Sequence, residues 1–293
     1  MDNLIRGITK DGSARIIVVD STAIVNKAAE IHVTAPTATA ALGRVLTAAS
    51  MMGSLLGEKD DLLTLRFKGN GTAGSVMASA DYMGNVRGYI SNPAADPPKR
   101  LDGKLNVAAA IGKGTLYVLR DAAGLPEPYV GALEIQSGEI AEDIAAYYAQ
   151  SEQVPTVCAL GVRVGKDYKA ISAGGVLLQL LPFADPAIID KIEENLKDIP
   201  PISNLIETHD LESIAAMYLK GIDFELFDSM TCAYRCVCSR KKTDGALLAT
   251  GVDEIKDMIA EGGTELKCQF CGKAYTYSKE DLEELLKKQG EKE

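Results

Sequence analysis

Two short stretches near the carboxyl end, "CVCSR" at residues 236–240 and "CQFCGKAY" at residues 268–275, each hold a close pair of cysteines. The whole chain has 293 residues, but only six cysteines and two histidines. The paired cysteines are Cys236, Cys238, Cys268 and Cys271. Two close thiol pairs with a longer segment between them are typical of a tetrahedral four-thiolate zinc site. We therefore predict one Zn²⁺ per chain when these thiols are reduced, with the carboxyl end folded around it.

Other candidate ligands are few. Neither His32 nor His209 lies near the cysteine pairs in sequence, so an all-cysteine shell is the simplest interpretation. Cys232 precedes Cys236 closely and could replace one of the ligands, although we expect a partly buried thiol that takes no part in metal binding. Cys158, in the apolar run "TVCALGV", is expected to be an inert core residue.

The composition is that of an acidic globular protein. The net charge is −10, and such a field repels phosphate backbones and anionic membranes, so we expect no nucleic-acid or membrane partner. Residues 1–19 lack the features of a signal or transit peptide. Apolar runs such as residues 176–183 fall short of the roughly 20 residues of a spanning helix. We expect a cytoplasmic protein, in which clustered cysteines are metal ligands or redox-active thiols rather than structural disulfides.

Residues 1–184 are predicted to form an α+β core domain with packed helices and a mainly antiparallel or mixed sheet. Strands are expected at 13–22, 62–67, 86–90 and 115–120, and helices at 36–57 and 137–151, the second capped by Ser137. "GNGTAG" at residues 69–74 matches a dinucleotide-binding fingerprint, and Asp96 follows at the distance of a ribose-binding acid. The residues after this motif indicate strand, turn and strand, so we favour a hairpin over a nucleotide site.

Residues 185–231 are predicted to form a helical linker, with helices starting at Asp185 and Asp210. These helices are short and rich in apolar residues, so they must pack on another surface. Residues 232–293 are predicted to form a small zinc-binding domain. Its apolar residues are too few for stable folding without a metal or a disulfide.

The residues alone leave open whether the zinc would be purely structural or part of a redox switch. In an extended strand, the α-carbons of Cys236 and Cys238 lie about 6.5 Å apart, close to the upper limit for a disulfide. A bond there would be strained and easily reduced. Cys268 and Cys271 have the spacing of thiol–disulfide motifs. Disulfides within both pairs would use up all four ligands and release the metal.

Two further stretches extend the comparison, "AQSEQVPT" at residues 149–156 and "AGGVLLQLLP" at residues 173–182. Together with the cysteine pairs, they resemble the thirty-three-kilodalton heat-shock protein family, which are bacterial cytosolic redox-regulated holdase chaperones. The order of core, linker and tail matches along the whole length. The resemblance implies an ATP-independent chaperone that binds unfolding client proteins, is typically a homodimer when active, and is not an enzyme.

The resemblance also implies roles for the four cysteines. They bind zinc when reduced, and oxidation pairs Cys236 with Cys238 and Cys268 with Cys271. Disulfide formation then expels the zinc and unfolds the tail and the linker. Cys232 lies outside the four-cysteine pattern of the family, which leaves its role in disulfide exchange open.

Two alternative functions are considered. A zinc-ribbon nucleic-acid binder would use the cations around the ligands, namely Arg235, Arg240, Lys241, Lys242, Lys267 and Lys273. The acidic total and the absence of tryptophan argue against it, because they leave little to attract phosphates or stack on bases. A thiol–disulfide oxidoreductase would use Cys268 and Cys271 as its redox pair.

Overall fold

The computed structural model describes residues 2–122 and 127–290, which fall into two compact units, residues 1–235 and residues 236–293. The first unit contains, in chain order, β1 (Asp2–Thr9), β2 (Ala14–Asp20), α1 (Thr22–His32), α2 (Pro36–Gly53), β3 (Leu62–Gly69), β4 (Ser75–Asp81), β5 (Val86–Ile90), α3 (Val107–Ile111), β6 (Gly114–Asp121), β7 (Tyr129–Glu134), α4 (Ala141–Tyr147), a π-helical turn (Tyr148–Glu152), β8 (Thr156–Val164), β9 (Ala170–Leu180), α5 (Pro186–Leu196), α6 (Ile202–Thr208), α7 (Leu211–Tyr218) and β10 (Phe224–Cys232). The second contains α8 (Arg240–Leu248), α9 (Val252–Ala260), β11 (Gly263–Lys267), β12 (Ala274–Ser278) and α10 (Lys279–Gly290).

Two five-stranded sheets form the frame of the first unit. The strand order is β10-β1-β2-β9-β8 in one sheet, called here the first sheet, and β5-β4-β3-β6-β7 in the other. Every strand pairing within these sheets is antiparallel. The predicted α+β class is therefore confirmed. Within the described residues, no helix has the length and apolarity needed to cross a bilayer.

Helix α2 is the centre of the main core. All of its residues except Pro36 and Arg44 are buried, and it packs against strands of both sheets. Small side chains make this close packing feasible: a Cβ added at Gly43 would lie 2.9 Å from Val25 and Val162 side-chain atoms. The helix starts at a proline, as predicted, and the Asp96 carboxylate accepts hydrogen bonds from the Thr37 backbone and hydroxyl.

The "GNGTAG" motif is a hairpin, as predicted. Strand β3 ends at Gly69, β4 begins at Ser75, and the two strands pair antiparallel. Gly71 approaches the backbone of α3 so closely that an added Cβ would lie 2.3 Å from the Ala110 carbonyl oxygen. No helix opens at the third glycine, so the phosphate-binding geometry of the fingerprint is absent here.

The outer face of the first sheet is covered by helices α5, α6 and α7. Successive side chains of β2 point to opposite faces of the sheet. Ile17 and Val19 belong to the core around α2, whereas Ile16 and Val18 belong to a second core, which they form with the three helices. Within residues 185–223, the side chains buried in this second core are Ile192, Ile202, Leu205, Ile214, Ala215, Tyr218, Leu219 and Ile222. The apolar residues of the helical part of the predicted linker therefore pack on the first sheet.

Strand β10 follows these helices and forms the edge of the first sheet, next to β1. It pairs from Phe224 opposite Thr9 to Cys232 opposite Asp2, with an irregularity between Arg6 and Gly7. Arg6 forms an ion pair with Asp228 across the two strands. The C-terminal part of the segment expected as a helical linker is thus a strand.

The second unit is small. Strands β11 and β12 form an antiparallel hairpin. The core of the second unit consists of a few side chains from the hairpin and the helices. The buried members are Leu247, Ile255, Tyr275, Tyr277, Leu282 and Leu285. Ser278 and Asp281 form a reciprocal capping box at the start of α10, as predicted from their spacing.

Candidate metal centre

The four paired cysteines lie on two segments of the second unit. Cys236 and Cys238 are in the extended stretch before α8, and Cys268 and Cys271 are in the turn between β11 and β12. The turn is closed by hydrogen bonds from the Cys268 amide to the Lys273 carbonyl and from the Gly272 amide to the Cys268 carbonyl, at 2.9 and 2.8 Å. Gly272 has a φ of 72°, a left-handed conformation that glycine adopts readily.

The four sulfur atoms converge on one point. They all lie within 4.8 Å of one another, and the Cys236–Cys268 and Cys238–Cys271 sulfurs are 3.7 and 3.5 Å apart. Ligands at about 2.3 Å around a tetrahedral Zn²⁺ are about 3.8 Å from each other, so this cluster has nearly the right size. All four cysteines are free thiols and half-buried. The cluster therefore fits a four-thiolate metal ion.

Burial and hydrogen bonds give Cys236, Cys238 and Cys271 different pKa values. Burial raises the pKa of the Cys236 thiol to about 12, and hydrogen bonds with the other cluster thiols act in the same direction. At Cys238, burial is outweighed by hydrogen bonds from the Tyr275 hydroxyl and the other thiols, which lower the pKa to about 7. Burial raises the pKa of the Cys271 thiol. Cys238 is thus the thiol of these three that most readily becomes a thiolate.

Two tyrosines of β12 lie in the core of the second unit, and one of them contacts the sulfur cluster. The Tyr275 hydroxyl donates to the Cys238 sulfur at 3.1 Å, and the Tyr277 hydroxyl donates to an Asp244 carboxylate oxygen at 2.7 Å. We did not predict Tyr275 from sequence. Its signal was the alternation of "AYTYS", which places Tyr275 and Tyr277 on the same buried face of a short strand.

Arg240, one of the cations considered for nucleic-acid binding, has structural partners. Its guanidinium donates to the Thr276 carbonyl at 2.7 Å, pairs with Asp281 at 3.0 Å and stacks over the Tyr277 ring at 3.8 Å. Lys273 lies over the Tyr275 ring, with its ammonium 5.0 Å from the centroid. These contacts hold both cations within the second unit, which weakens the zinc-ribbon alternative.

The remaining cysteines lie outside the sulfur cluster. Cys232 is fully buried in the core around α2, and burial raises the pKa of its thiol to about 11. Cys158 is on β8 and packs against the same core, where burial raises its pKa to about 12. Both thiols are therefore poor nucleophiles near neutral pH.

Fold and site together define an α+β protein whose carboxyl end is a compact unit with four converging cysteine sulfurs. A profile of the family described as "Hsp33 protein" matches residues 2–278, and the chain belongs to this family. The resemblance inferred from the cysteine stretches is thereby confirmed.

Several known proteins that are similar to this chain carry the name 33 kDa chaperonin. A 33 kDa chaperonin of Clostridium perfringens strain SM101 is 45% identical over 97% of this chain and 91% of its own length. A 33 kDa chaperonin of Clostridium botulinum strain 657 is 44% identical over 97% of both chains. The crystal structure of a 33 kDa chaperonin from Thermotoga maritima superposes with a TM-score of 0.90, at 35% identity over 99% of each chain. Membership of this family supports a chaperone and is consistent with a chain that is not an enzyme.

Proposed function

We propose that this protein is a redox-regulated, ATP-independent holdase, which binds unfolding proteins after its four clustered thiols have been oxidised. The observation that carries the proposal is the convergence of Cys236, Cys238, Cys268 and Cys271 within 4.8 Å. In the reduced state these residues would hold one Zn²⁺, because four thiolates complete a closed tetrahedral shell. A closed shell leaves no open position for a substrate, so the metal would act on folding rather than on catalysis.

Loss of the metal would unfold the second unit. Its core contains few buried side chains, and a unit of this size depends on a metal or a disulfide for stability. Structural zinc contributes on the order of 10–16 kcal/mol of apparent binding free energy, compared with about 5–15 kcal/mol for the stability of a typical domain. Without the metal, the free energy of unfolding of this unit would fall to zero or below.

Oxidation supplies the trigger. We propose disulfides between Cys236 and Cys238 and between Cys268 and Cys271, as the family resemblance implies. Each disulfide forms as two zinc-bound thiolates give up two electrons and their two bonds to the metal, and one hydrogen peroxide accepts the electrons, takes up two protons from the solvent and becomes two waters. Because both disulfides consume ligands, the cluster can no longer bind the metal. The proposed switch is therefore an exchange of four metal–sulfur bonds for two sulfur–sulfur bonds.

The proposed client surface lies beneath α5, α6 and α7. These helices cover apolar residues of the first sheet, including Ile16, Val18 and Leu178, and they present their own apolar residues to it. The chain runs from these helices through β10 directly to Cys236. If unfolding of the second unit loosens this segment, both apolar faces become accessible to unfolding proteins.

The proposed partners are unfolded or partly folded client proteins and, in the active state, a second copy of the chain. We propose a cytoplasmic location, where reducing conditions keep the cysteines available to the metal until oxidative stress occurs. Neither nucleic acid nor a membrane is proposed as a partner, because the net charge of −10 repels both.

The test is an aggregation assay with a heat-unfolded client. Protein reduced and loaded with zinc is compared with protein treated with peroxide at elevated temperature, and zinc is counted by elemental analysis alongside thiol titration. We expect one zinc and free thiols before oxidation, and suppression of aggregation only after it. Absence of metal from protein purified anaerobically would contradict the proposal, as would equal suppression in both states.

The same preparations separate the two alternatives. A thiol–disulfide oxidoreductase would turn over a dithiol substrate while the metal is still bound. A zinc-ribbon nucleic-acid binder would shift labelled RNA in the reduced state, with a strong dependence on salt. We expect neither result.

A further inference from the structure

The Tyr275 hydroxyl is placed to act on the sulfur cluster rather than on the fold alone. It donates to the Cys238 sulfur at 3.1 Å, from a ring that is only 6% exposed. The register of the hairpin pairs Tyr275 with Leu266, next to the strand end that leads into the cysteine turn. The ring is thus held by the sheet and the core, and the hydroxyl is directed at one of the four thiols.

We propose that Tyr275 is a positioning residue that holds the Cys238 sulfur in place and lowers its reactivity toward oxidants, and thereby slows loss of the metal. The inference rests on the proposed metal site. It assigns to strand β12 a role in setting how readily the proposed switch responds, beyond its role in the core.

The physical reason is the distribution of charge on sulfur. In the metal-bound site all four sulfurs are thiolates, so the hydrogen bond does not change how much thiolate is present. A thiolate that accepts an O–H hydrogen bond carries less available electron density, so it attacks peroxide more slowly. Groups that hydrogen-bond to metal ligands also fix the ligand orientation, and their removal typically lowers metal affinity or activity about 10–100-fold. A phenylalanine at position 275 would keep the ring and remove only the donor.

Tyr277 provides a matched control on the same strand. Its ring is 2% exposed and has a cation stacked on it, as Tyr275 does. Its hydroxyl, however, contacts Asp244 and Thr243 rather than a sulfur. A substitution of this hydroxyl therefore disturbs the same core to a similar degree and leaves the donor to Cys238 intact.

The experiment compares the full chain with its Tyr275→Phe and Tyr277→Phe variants in the reduced state. Zinc release during peroxide treatment is followed with a chromogenic chelator. In parallel, each protein is loaded with Co²⁺, and the sulfur-to-cobalt charge-transfer band is recorded. We expect Tyr275→Phe to release zinc about tenfold faster than the unsubstituted chain and to shift the cobalt band to lower energy. Tyr277→Phe should match the unsubstituted chain in both.

Three results would overturn the inference. The first is an unchanged release rate and band in Tyr275→Phe, and the second is the same change in Tyr277→Phe. The third is a Tyr275→Phe chain that forms no cobalt complex, because the hydroxyl would then act in folding and not on the sulfur. Failure of the unsubstituted chain to bind either metal is a separate outcome, which contradicts the proposed function itself.

Discussion

Cys232 and Cys236 are close in sequence but lie in different surroundings. Cys232 ends β10 and is fully buried in the core of the first unit, whereas Cys236 belongs to the sulfur cluster. We predict that Cys232→Ser retains one zinc per chain. A buried hydroxyl in place of the thiol costs about 1–3 kcal/mol, so the thermal midpoint of the first unit should fall. Elemental analysis and thermal unfolding measure the two effects, and loss of zinc would show that the ligand set is wrong.

His32 makes the first unit sensitive to acid. Its Nε2 lies 2.9 Å from the Gly88 carbonyl oxygen, and burial lowers the pKa of the ring below the unfolded value of 6.5. The unfolded chain therefore takes up a proton first as the pH falls. The stability contributed by neutral His32 is present above pH 6.5 and is lost as the pH falls toward the lower folded pKa.

We predict that the thermal midpoint of the first unit falls less on acidification in His32→Gln than in the unsubstituted chain. Glutamine can still donate to the Gly88 carbonyl but does not titrate. Scanning calorimetry between about pH 7.5 and about pH 5 measures the difference, since this range covers the titration of histidine. Parallel pH curves for the two proteins would show that His32 does not couple folding to protons.

At the scale of the elements, α7 offers a direct test of the proposed client surface. Ile214 is fully buried against the first sheet, whereas Ala216 on the same helix is exposed. We predict that Ile214→Asp suppresses client aggregation while it is reduced and still holds zinc, because a buried unpaired carboxylate destabilises the packed helix by several kcal/mol. Ala216→Asp introduces the same charge and should remain inactive when reduced. Activity in neither variant would indicate that clients bind elsewhere.

The segment from α5 to α7 should also change its exchange behaviour with the redox state. We predict that amides of residues 185–231 are protected from hydrogen exchange in the reduced protein and exchange freely after oxidation. Strands β3, β4 and β6 serve as an internal reference, because they belong to the other five-stranded sheet of the first unit and should stay protected. Equal exchange of the segment in both states would remove it from the proposed switch.

The sequence predicted the start of a helix correctly where a single capping side chain determines it. Asp185 and Asp210 accept from the Ala187 and Ser213 amides, as their position before the helices indicated. The helix predicted from Ser137 instead begins at Ala141.

The reason for the later start is a buried carboxylate. Asp143 accepts hydrogen bonds from the amides of Gln136, Ser137 and Ile140, which holds these residues in a turn. Ile140 also has a φ of 72°, outside the helical range. Such a turn depends on side-chain contacts that hydrophobic periodicity does not reveal.

Strand β10 was missed for a different reason. Phe224 and Leu226 pack against the second core, whereas Met230 lies in the core around α2. The change of face occurs at Phe227, which is exposed and is skipped in the pairing with β1, and the next residue, Asp228, bonds to Arg6. An exposed phenylalanine followed by an inward aspartate interrupts the period of two on which a sequence-based prediction relies. The partner strand β1 lies far from β10 in sequence, so only the folded structure reveals the pairing.

At the metal centre, by contrast, the cysteine spacing was sufficient to predict which sulfurs converge.

For the whole molecule, Cys268→Ser separates two mechanisms of activation. The variant removes one thiolate from the cluster and leaves Cys271 without its nearby partner. If folding of the second unit is what masks the client surface, we expect less zinc, a partly unfolded second unit and measurable holding activity even when reduced. Client aggregation, zinc content and circular dichroism are measured on the same sample.

Cys232→Ser is the control for this experiment, because it removes a thiol outside the cluster and should stay inactive when reduced. A Cys268→Ser chain that has lost its zinc and its C-terminal structure, yet does not hold clients, would contradict the unmasking mechanism. In that case a conformation fixed by disulfides would form the client site, and the metal centre would remain as a structural feature.

The pairing of β1 with β10 also has a consequence for synthesis of the protein. β1 leaves the ribosome well before β10, but its outer edge pairs with Phe224–Cys232. At about 5–20 residues per second, roughly 10–45 seconds separate the appearance of the two strands. During that time the nascent chain presents an unpaired strand edge to its surroundings. A protein that is proposed to bind unfolding chains therefore exposes, during its own synthesis, a strand edge that other chains could pair with.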